Sequence, residues 1–257
     1  MKEKWCKSAL TISRLPGIDY SLNPYVGCQH GCVYCYVPNV IHVDRNEWHS
    51  TIYAKVNIAS MLRKELKVRR RGVVGISTST DAYQPAERKY ELTRNCLLLL
   101  AKHDWPVDIL TKSDMVLRDA DILTKMSHVK VGFTITTLND EMRKYLEPNA
   151  PSIERRLRAL EQLSEMEIYT YVFAGPLFPF PEYEIKEYLE AFIDAGAREI
   201  ILDNFHLKEG VMDAVHDALP PEMREWFMGG LSRKYVEKVF LEMVKLSDGR
   251  VEIRRAF

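Results

Sequence analysis

Short apolar segments rich in β-branched residues recur along this chain with amphipathic stretches between them, and that alternation leaves few folds open. Val73–Ser77 (VVGIS), Val107–Thr111 (VDILT), Val129–Thr136 (VKVGFTIT), Ile168–Ala174 (IYTYVFA) and Glu199–Leu202 (EIIL) read as buried strands. They are too short for helices and nearly continuous in apolar character, which suits a parallel sheet covered on both faces. Asn23–Gly27 supplies the expected first strand. Helices are predicted over Asn57–Val68, Ala86–Lys102, Leu117–Met126, Ser152–Met166 and Glu182–Ala195. Gly196 follows the last of these as a left-handed cap. Six strands with intervening helices predict an α/β fold, an open partial (β/α)6 TIM-type barrel. In such barrels functional side chains gather at the C-terminal ends of the strands. From His206 the pattern turns helical and ends in an expected edge strand, Val251–Phe257 (VEIRRAF). The expected organisation is therefore a barrel domain over residues 1–205 and a short helical C-terminal appendage over 206–257, packed on the core.

Charge narrows the partners. Lys plus Arg equals Asp plus Glu at 36 each, so no global field draws the 257-residue chain to nucleic acid or to an anionic membrane. Two local basic sets remain: Lys64, Lys67, Arg69, Arg70 and Arg71 at a predicted helix C-terminus, and Arg250, Arg254 and Arg255 at the chain end. Either set could meet phosphates. Cations at a helix C-terminus also offset the helix dipole while staying solvated. No apolar run reads as a signal peptide or is long enough to span a bilayer, so no membrane is expected and the expected compartment is the cytoplasm.

Three of the five cysteines fall within eight residues, Cys28-Gln29-His30-Gly31-Cys32-Val33-Tyr34-Cys35. Such crowding reads as metal binding before cross-linking. Thiolates suit iron–sulfur clusters or zinc. Three of them can cap three corners of a cubane and leave its fourth iron open. The alternative is a zinc knot completed by His30, which needs a paired second half that is not visible. Cys96 sits inside a predicted helix, where it reads as a small buried hydrophobe.

The CxxxCxxC spacing, followed by an aromatic residue at the end of a first strand, resembles the radical S-adenosylmethionine superfamily. The longer string Asn23–Tyr36 (NPYVGCQHGCVYCY) is similar to its spore photoproduct lyase-like branch, often labelled DNA repair photolyase-related. Further matches follow in order: Thr80–Glu87 (TDAYQPAE), Leu110–Ser113 (LTKS), Thr134–Thr137 (TITT) and Leu146–Pro151 (LEPNAP), so that the resemblance covers residues 18–205. It implies an enzyme in which Cys28, Cys32 and Cys35 hold a 4Fe-4S cluster, with S-adenosylmethionine on the open iron. Reductive cleavage then yields a 5′-deoxyadenosyl radical that abstracts hydrogen from a substrate. By analogy the electron donor is a flavodoxin or ferredoxin.

The same resemblance places Tyr34 and Tyr36 beside the adenosyl group, with the Tyr36 hydroxyl as a catalytic hydrogen-atom relay. It also pairs Lys112 with the S-adenosylmethionine carboxylate. Thr78, Ser79 and Thr80 end the second strand and offer hydroxyls to the amino group or ribose. Thr134 and Thr136 alternate along the fourth strand with one facing, as candidates for ribose or carboxylate. The Ala174 backbone ends the fifth strand near the expected adenine edge. Asp81 and Glu87 either fix the substrate or cap the following helix, and capping suits Glu87. Spore photoproduct lyases carry a hydrogen-donating cysteine near the end of the second strand, and Thr78 stands at the matching position. The resemblance thus carries the fold and cofactors but not the substrate. A nucleic-acid base or lesion is the first candidate; a peptide, a small metabolite and a non-catalytic iron–sulfur role are the alternatives.

Overall fold

The computed structural model describes residues 1–180, 184–206 and 208–256. Its strands are β1 (Lys2–Lys4), β2 (Leu10–Ile12), β3 (Tyr20–Leu22), β4 (Tyr25–Val26), β5 (Tyr53–Lys55), β6 (Val74–Ile76), β7 (Val107–Thr111), β8 (Val129–Thr134), β9 (Tyr169–Ala174), β10 (Glu199–Leu202) and β11 (Glu252–Arg255). The main sheet runs β11-β10-β9-β8-β7-β6-β3-β2. All neighbours are parallel except β2, which pairs antiparallel with β3 at one edge. Among the described residues no pairing joins the two edges, so the barrel is open.

Five of the six expected barrel strands lie where the apolar runs place them; β7 and β10 match residue for residue. The first does not. Asn23–Gly27 is split: β3 ends at Leu22 and enters the barrel, whereas Tyr25–Val26 joins a separate three-stranded sheet, β1-β5-β4. Pro24 stands between the two and cannot donate to a ladder, which makes it a natural break. The fourth strand also stops at Thr134, so Thr136 lies beyond it.

The helices Ile58–Glu65, Leu92–Lys102, Ile153–Glu165 and Ile185–Asp194 bury one face each against the sheet. The expected start of the last helix at Glu182, and the final residue Phe257, lie outside the described residues. The expected helix from Ala86 breaks at Glu91, whose φ of 48° is left-handed. The Glu87 carboxylate accepts the amides of Thr93 (3.0 Å) and Arg94 (3.1 Å), so it caps the second piece across the break. In place of the expected Leu117–Met126 helix, the chain makes a 3-10 helix, Asp114–Asp119, and one short turn, Ala120–Leu123.

Beyond residue 206 come the helices Val211–Ala218, Pro221–Gly230 and Arg233–Ser247, followed by β11. The edge strand forms as expected and extends the same sheet through β10. Val211, Val215, Leu219 and Phe227 pack with Cys32, Tyr34, Met142, Leu146 and Phe178 in a second apolar cluster, so the C-terminal helices cover the cysteine loop.

One glycine in the sheet is sterically fixed. Gly132 on β8 faces Tyr171 on β9, and a Cβ there would lie 2.2 Å from the Tyr171 ring. That ring crosses the glycine to donate its hydroxyl to Asp108 on β7 at 2.7 Å. Gly132→Ala is expected to cost about 1–3 kcal/mol of stability through overpacking, read as a lower urea midpoint with an unchanged slope.

Candidate functional site

The cysteine loop is held from both sides. Gly27 (φ 87°) and Gly31 (φ 68°) take left-handed conformations, and a Cβ on Gly27 would come within 2.6 Å of the Thr51 carbonyl. The short helix Arg45–Ser50 clasps one flank. Arg45 donates to the carbonyls of Val33 (3.1 Å) and Cys35 (2.6 Å), the Cys28 amide donates to the Trp48 carbonyl (3.1 Å), and His49 Nδ1 lies 3.1 Å from the Cys28 carbonyl.

The other flank is built from the later motifs. Gln84, from TDAYQPAE, accepts the Gln29 amide (3.1 Å) and donates to the Gly27 carbonyl (3.1 Å). From LEPNAP, the Leu146 carbonyl accepts the Val33 amide (2.9 Å), and the Asn149 amide donates to the His30 carbonyl (3.2 Å). Segments more than a hundred residues apart therefore converge on one loop.

His30, the fourth ligand that the zinc alternative needs, faces Asn149 and Asp81. Its ring is buried, with Nδ1 3.4 Å from the Asn149 carbonyl and Nε2 3.3 Å from Asp81 Oδ2. Among the described residues, no three His, Cys, Asp or Glu side chains converge on a single ion. Burial pushes all three thiols up, Cys28 well above the ordinary thiol range and Cys32 to about 12, with Cys35 raised as well. Lys112 opposes this at Cys32 and Cys35. Three soft sulfur donors gathered on one loop, Cys32 buried and Cys28 and Cys35 half-buried, are the donor set that an iron–sulfur core takes.

Lys112 follows β7 directly, and its amide donates to Asp81 Oδ2 at 2.8 Å. Its ammonium lies 5.6 Å above the Tyr34 ring. Burial works against that charge, yet Cys32, Glu147 and Asp81 outweigh it and hold the amine protonated. Tyr34 is buried, packs edge-on against Phe178 at 5.2 Å and donates its hydroxyl to Glu147, which leaves only its ring to offer a ligand. Tyr36 is 38% exposed and lies 4.9 Å, ring to ring, from His206, whose Nε2 is 2.9 Å from Asp203 just past β10. Burial and the charges of Asp203 and Cys35 raise the Tyr36 phenol, so its hydroxyl keeps its hydrogen.

The hydroxyl candidates separate. Thr78 is exposed and donates to Ser21 Oγ (3.0 Å), and Ser79 bonds Asn23 Oδ1 through both amide and hydroxyl. Thr80 Oγ1 is buried and without a hydrogen-bond partner, as is Ser77 Oγ beside it. Those two orphaned hydroxyls, in the loop after β6, are free to meet a bound molecule. Thr134 gives its carbonyl to Arg156 at 2.9 Å, and Thr136 gives its hydroxyl to Glu147 at 3.5 Å. The Ala174 carbonyl already accepts the Asp203 amide at 3.0 Å.

Residue typing alone misses Asp203, His206 and Arg45, since lone charged residues carry no spacing signal. It also misses the Glu147–Arg156 pair, both members fully buried. Only the position of Glu147 inside the LEPNAP motif pointed there.

The chain matches the Radical SAM superfamily over residues 22–192. An uncharacterized protein of Methanocaldococcus jannaschii is 37% identical over 175 residues, which are 67% of this chain and 66% of that relative, just under two thirds of its length. A protein of Pseudomonas phage M6 named as a radical SAM Nalpha-GlyT isomerase is 23% identical over 212 residues, 79% of this chain and 44% of its own. Among solved structures, spore photoproduct lyase complexed with dinucleoside spore photoproduct superposes with a TM-score of 0.71 at 13% identity, over 99% of this chain and 81% of the lyase. Another structure of that lyase, a mutant, has AdoMet bound. At that identity the superposition shows a common fold, whereas the match over residues 22–192 takes in the cysteine triplet, Lys112 and every strand from β4 to β9. The chain belongs to the radical S-adenosylmethionine superfamily, whose members are enzymes that work with an iron–sulfur cluster and S-adenosylmethionine.

Proposed function

We propose that Cys28, Cys32 and Cys35 hold a 4Fe-4S cluster and that the protein cleaves S-adenosylmethionine reductively to initiate hydrogen abstraction from a substrate. When bound, cluster and cosubstrate supply one electron and a 5′-deoxyadenosyl radical; the chain supplies the cradle. The observation that carries this reading is the convergence of TDAYQPAE and LEPNAP on the cysteine loop, with the Lys112 amide tied to Asp81 in the first motif.

Lys112 brings a desolvated ammonium toward the cysteine loop and would anchor the carboxylate of S-adenosylmethionine. Thr80 offers the unpartnered hydroxyl for its amino group or ribose. The helices Val211–Ala218 and Pro221–Gly230 keep water from the loop through the apolar cluster around Phe178 and Phe227. Tyr36, exposed and protonated, would relay a hydrogen atom between adenosyl group and substrate. A flavodoxin or ferredoxin is the proposed electron donor. A nucleic-acid base is the first candidate substrate, supported by the common fold with a lyase solved with dinucleoside spore photoproduct.

Anaerobic reconstitution with iron and sulfide, then dithionite and S-adenosylmethionine, tests the reading. 5′-Deoxyadenosine is expected; a fully loaded cluster that yields none would overturn it. Lys112→Met is expected to weaken S-adenosylmethionine binding about tenfold to a hundredfold, since a charge-assisted bond contributes roughly 1.5–3 kcal/mol. Iron content should stay unchanged. An unaltered dissociation constant would remove Lys112 from the anchor role.

A further inference from the structure

The neutral total conceals an asymmetry. Residues 1–71 hold twelve Lys and Arg against five Asp and Glu, which leaves 24 against 31 in the rest of the chain. Arg45 donates to the Val33 and Cys35 carbonyls and Lys55 to that of Asn23, and much of the remaining excess lies along one face. β1 pairs with β5, the Cys6 amide donates to Asn57 Oδ1 (2.8 Å) at the start of helix Ile58–Glu65, and the amides of Ala9 and Leu10 donate to Glu65 at its end. The N-terminal segment is thus strapped along that helix. Tyr20 on β3 reaches the Arg70 carbonyl at 3.0 Å and ties the following basic run to the same side.

Lys4, Lys7, Arg14, Arg63, Lys64, Lys67, Arg69 and Arg70 are all exposed along this strap and helix. Among the described residues none of them is in an ion pair; in this stretch only Arg71 is paired, with Asp104. The rest of the protein behaves differently, because nine arginines beyond residue 71 pair with acids. Those nine include Arg250, Arg254 and Arg255, so the C-terminal basic set is neutralised internally. The Glu65 carboxylate, the one acid within the basic helix, is taken up by the two strap amides.

Dipole compensation explains Arg63 and Lys64 in the last helical turn but not Lys7, Arg14 or the run past the helix end. Apolar exposure coincides with the charge: Trp5 is 77% and Val68 81% exposed. A fully presented indole flanked by lysines is the arrangement with which proteins stack an unpaired base while cations follow its backbone.

We propose that this face docks a nucleic-acid strand, with Trp5 stacking on an unpaired base and the strap and helix cations following consecutive phosphates. The eight-residue helix is about 12 Å long, and together with the strap beside it and the basic run beyond its end it offers cations for three or four phosphates of one strand. In its assignment of substrate class the proposal rests on the reading of the barrel as a nucleic-acid-modifying radical site; the docking itself is measured separately from that chemistry.

The test is the affinity of the anaerobically reconstituted protein for a short single-stranded oligonucleotide across a salt series. A log–log slope of about −2 to −3 is expected for three or four contacts at roughly 0.7 each. Trp5→Ala should weaken binding about tenfold, as loss of one stacked base does, and remove quenching of indole fluorescence by the strand. Lys67→Glu with Arg69→Glu and Arg70→Glu should weaken it at least about tenfold and flatten the slope by about 2. All four side chains are exposed, so thermal midpoints should hold. Affinities within twofold of the unmodified protein in both variants would overturn the proposal. So would phosphatidylserine vesicles or poly-glutamate bound as tightly as the oligonucleotide and indifferent to Trp5→Ala. Oligonucleotide binding that responds as expected in a protein that yields no 5′-deoxyadenosine would uphold the docking face while the catalytic reading fails; the reverse pattern would do the opposite.

Discussion

Cys32→Ala is expected to abolish cluster loading and, with it, cleavage of S-adenosylmethionine, while leaving the fold in place. The loop holds three thiols and no fourth: His30 Nε2 faces Asp81 Oδ2 at 3.3 Å, and Cys6 exchanges backbone hydrogen bonds with the Asn57 side chain outside the site. Cys32 is also the thiol most enclosed by the apolar cluster with Tyr34 and Phe178, so alanine there removes one sulfur from a site that the surrounding side chains already fill. The stability cost should stay near 1 kcal/mol, the scale of a single buried group of that size. Cys96→Ala provides the contrast. That residue is fully buried in helix Leu92–Lys102 and should cost a similar amount of stability with no change in iron, sulfide or 5′-deoxyadenosine. The measurement is iron and sulfide per chain with the reduced-cluster electron paramagnetic resonance signal. Full loading of Cys32→Ala, with cleavage intact, would show that the triplet is not the metal site.

Much of this architecture was legible because burial on both faces of a parallel sheet favours short apolar runs: β10 is buried at all four positions, and β7 alternates buried with half-buried residues. The site was legible through ordered motifs. Where periodicity failed, other physics decided. β3 and β4 are two or three residues each and are separated by Pro24, too short for any pattern to register. Thr136 was grouped with Thr134 by alternation, but the strand ends at Thr134 and the Thr136 hydroxyl turns to Glu147. Thr78 and Ser79 were grouped with Thr80 by chemistry alone; partners on Ser21 and Asn23 absorb the first two and leave Thr80. The basic face was hidden by summation, because a zero total says nothing about how the fold distributes its charges.

A buried pair that no spacing rule reveals should have the largest effect on stability. Arg156 and Glu147 are both fully buried and bonded to each other. Arg156 donates also to the carbonyls of Thr134 (2.9 Å) and Pro151 (2.8 Å), while Glu147 accepts from Tyr34 and Thr136. The pair thus joins the end of β8, the LEPNAP turn and the cysteine loop. Burial opposes the carboxylate, yet the Arg156 and Lys112 charges outweigh it and hold Glu147 ionised. Arg156→Ala leaves that carboxylate in a dry interior without its main partner, which costs about 3–5 kcal/mol. For a chain of this size each kcal/mol lowers the midpoint by roughly 2–4 °C, so a fall of about 6–20 °C is expected. Replacing both members, Arg156→Met with Glu147→Leu, should recover part of that loss, because the uncompensated charge rather than the lost attraction dominates the single variant. Unfolding of the two variants beside Lys112→Met separates scaffold from anchor: Lys112→Met should change S-adenosylmethionine binding at a nearly unchanged midpoint, and Arg156→Ala should shift the midpoint first. A shift below about 1 kcal/mol for Arg156→Ala would mean that water or Lys112 replaces the guanidinium, and the pair would then lose its place as the tie between barrel and cysteine loop.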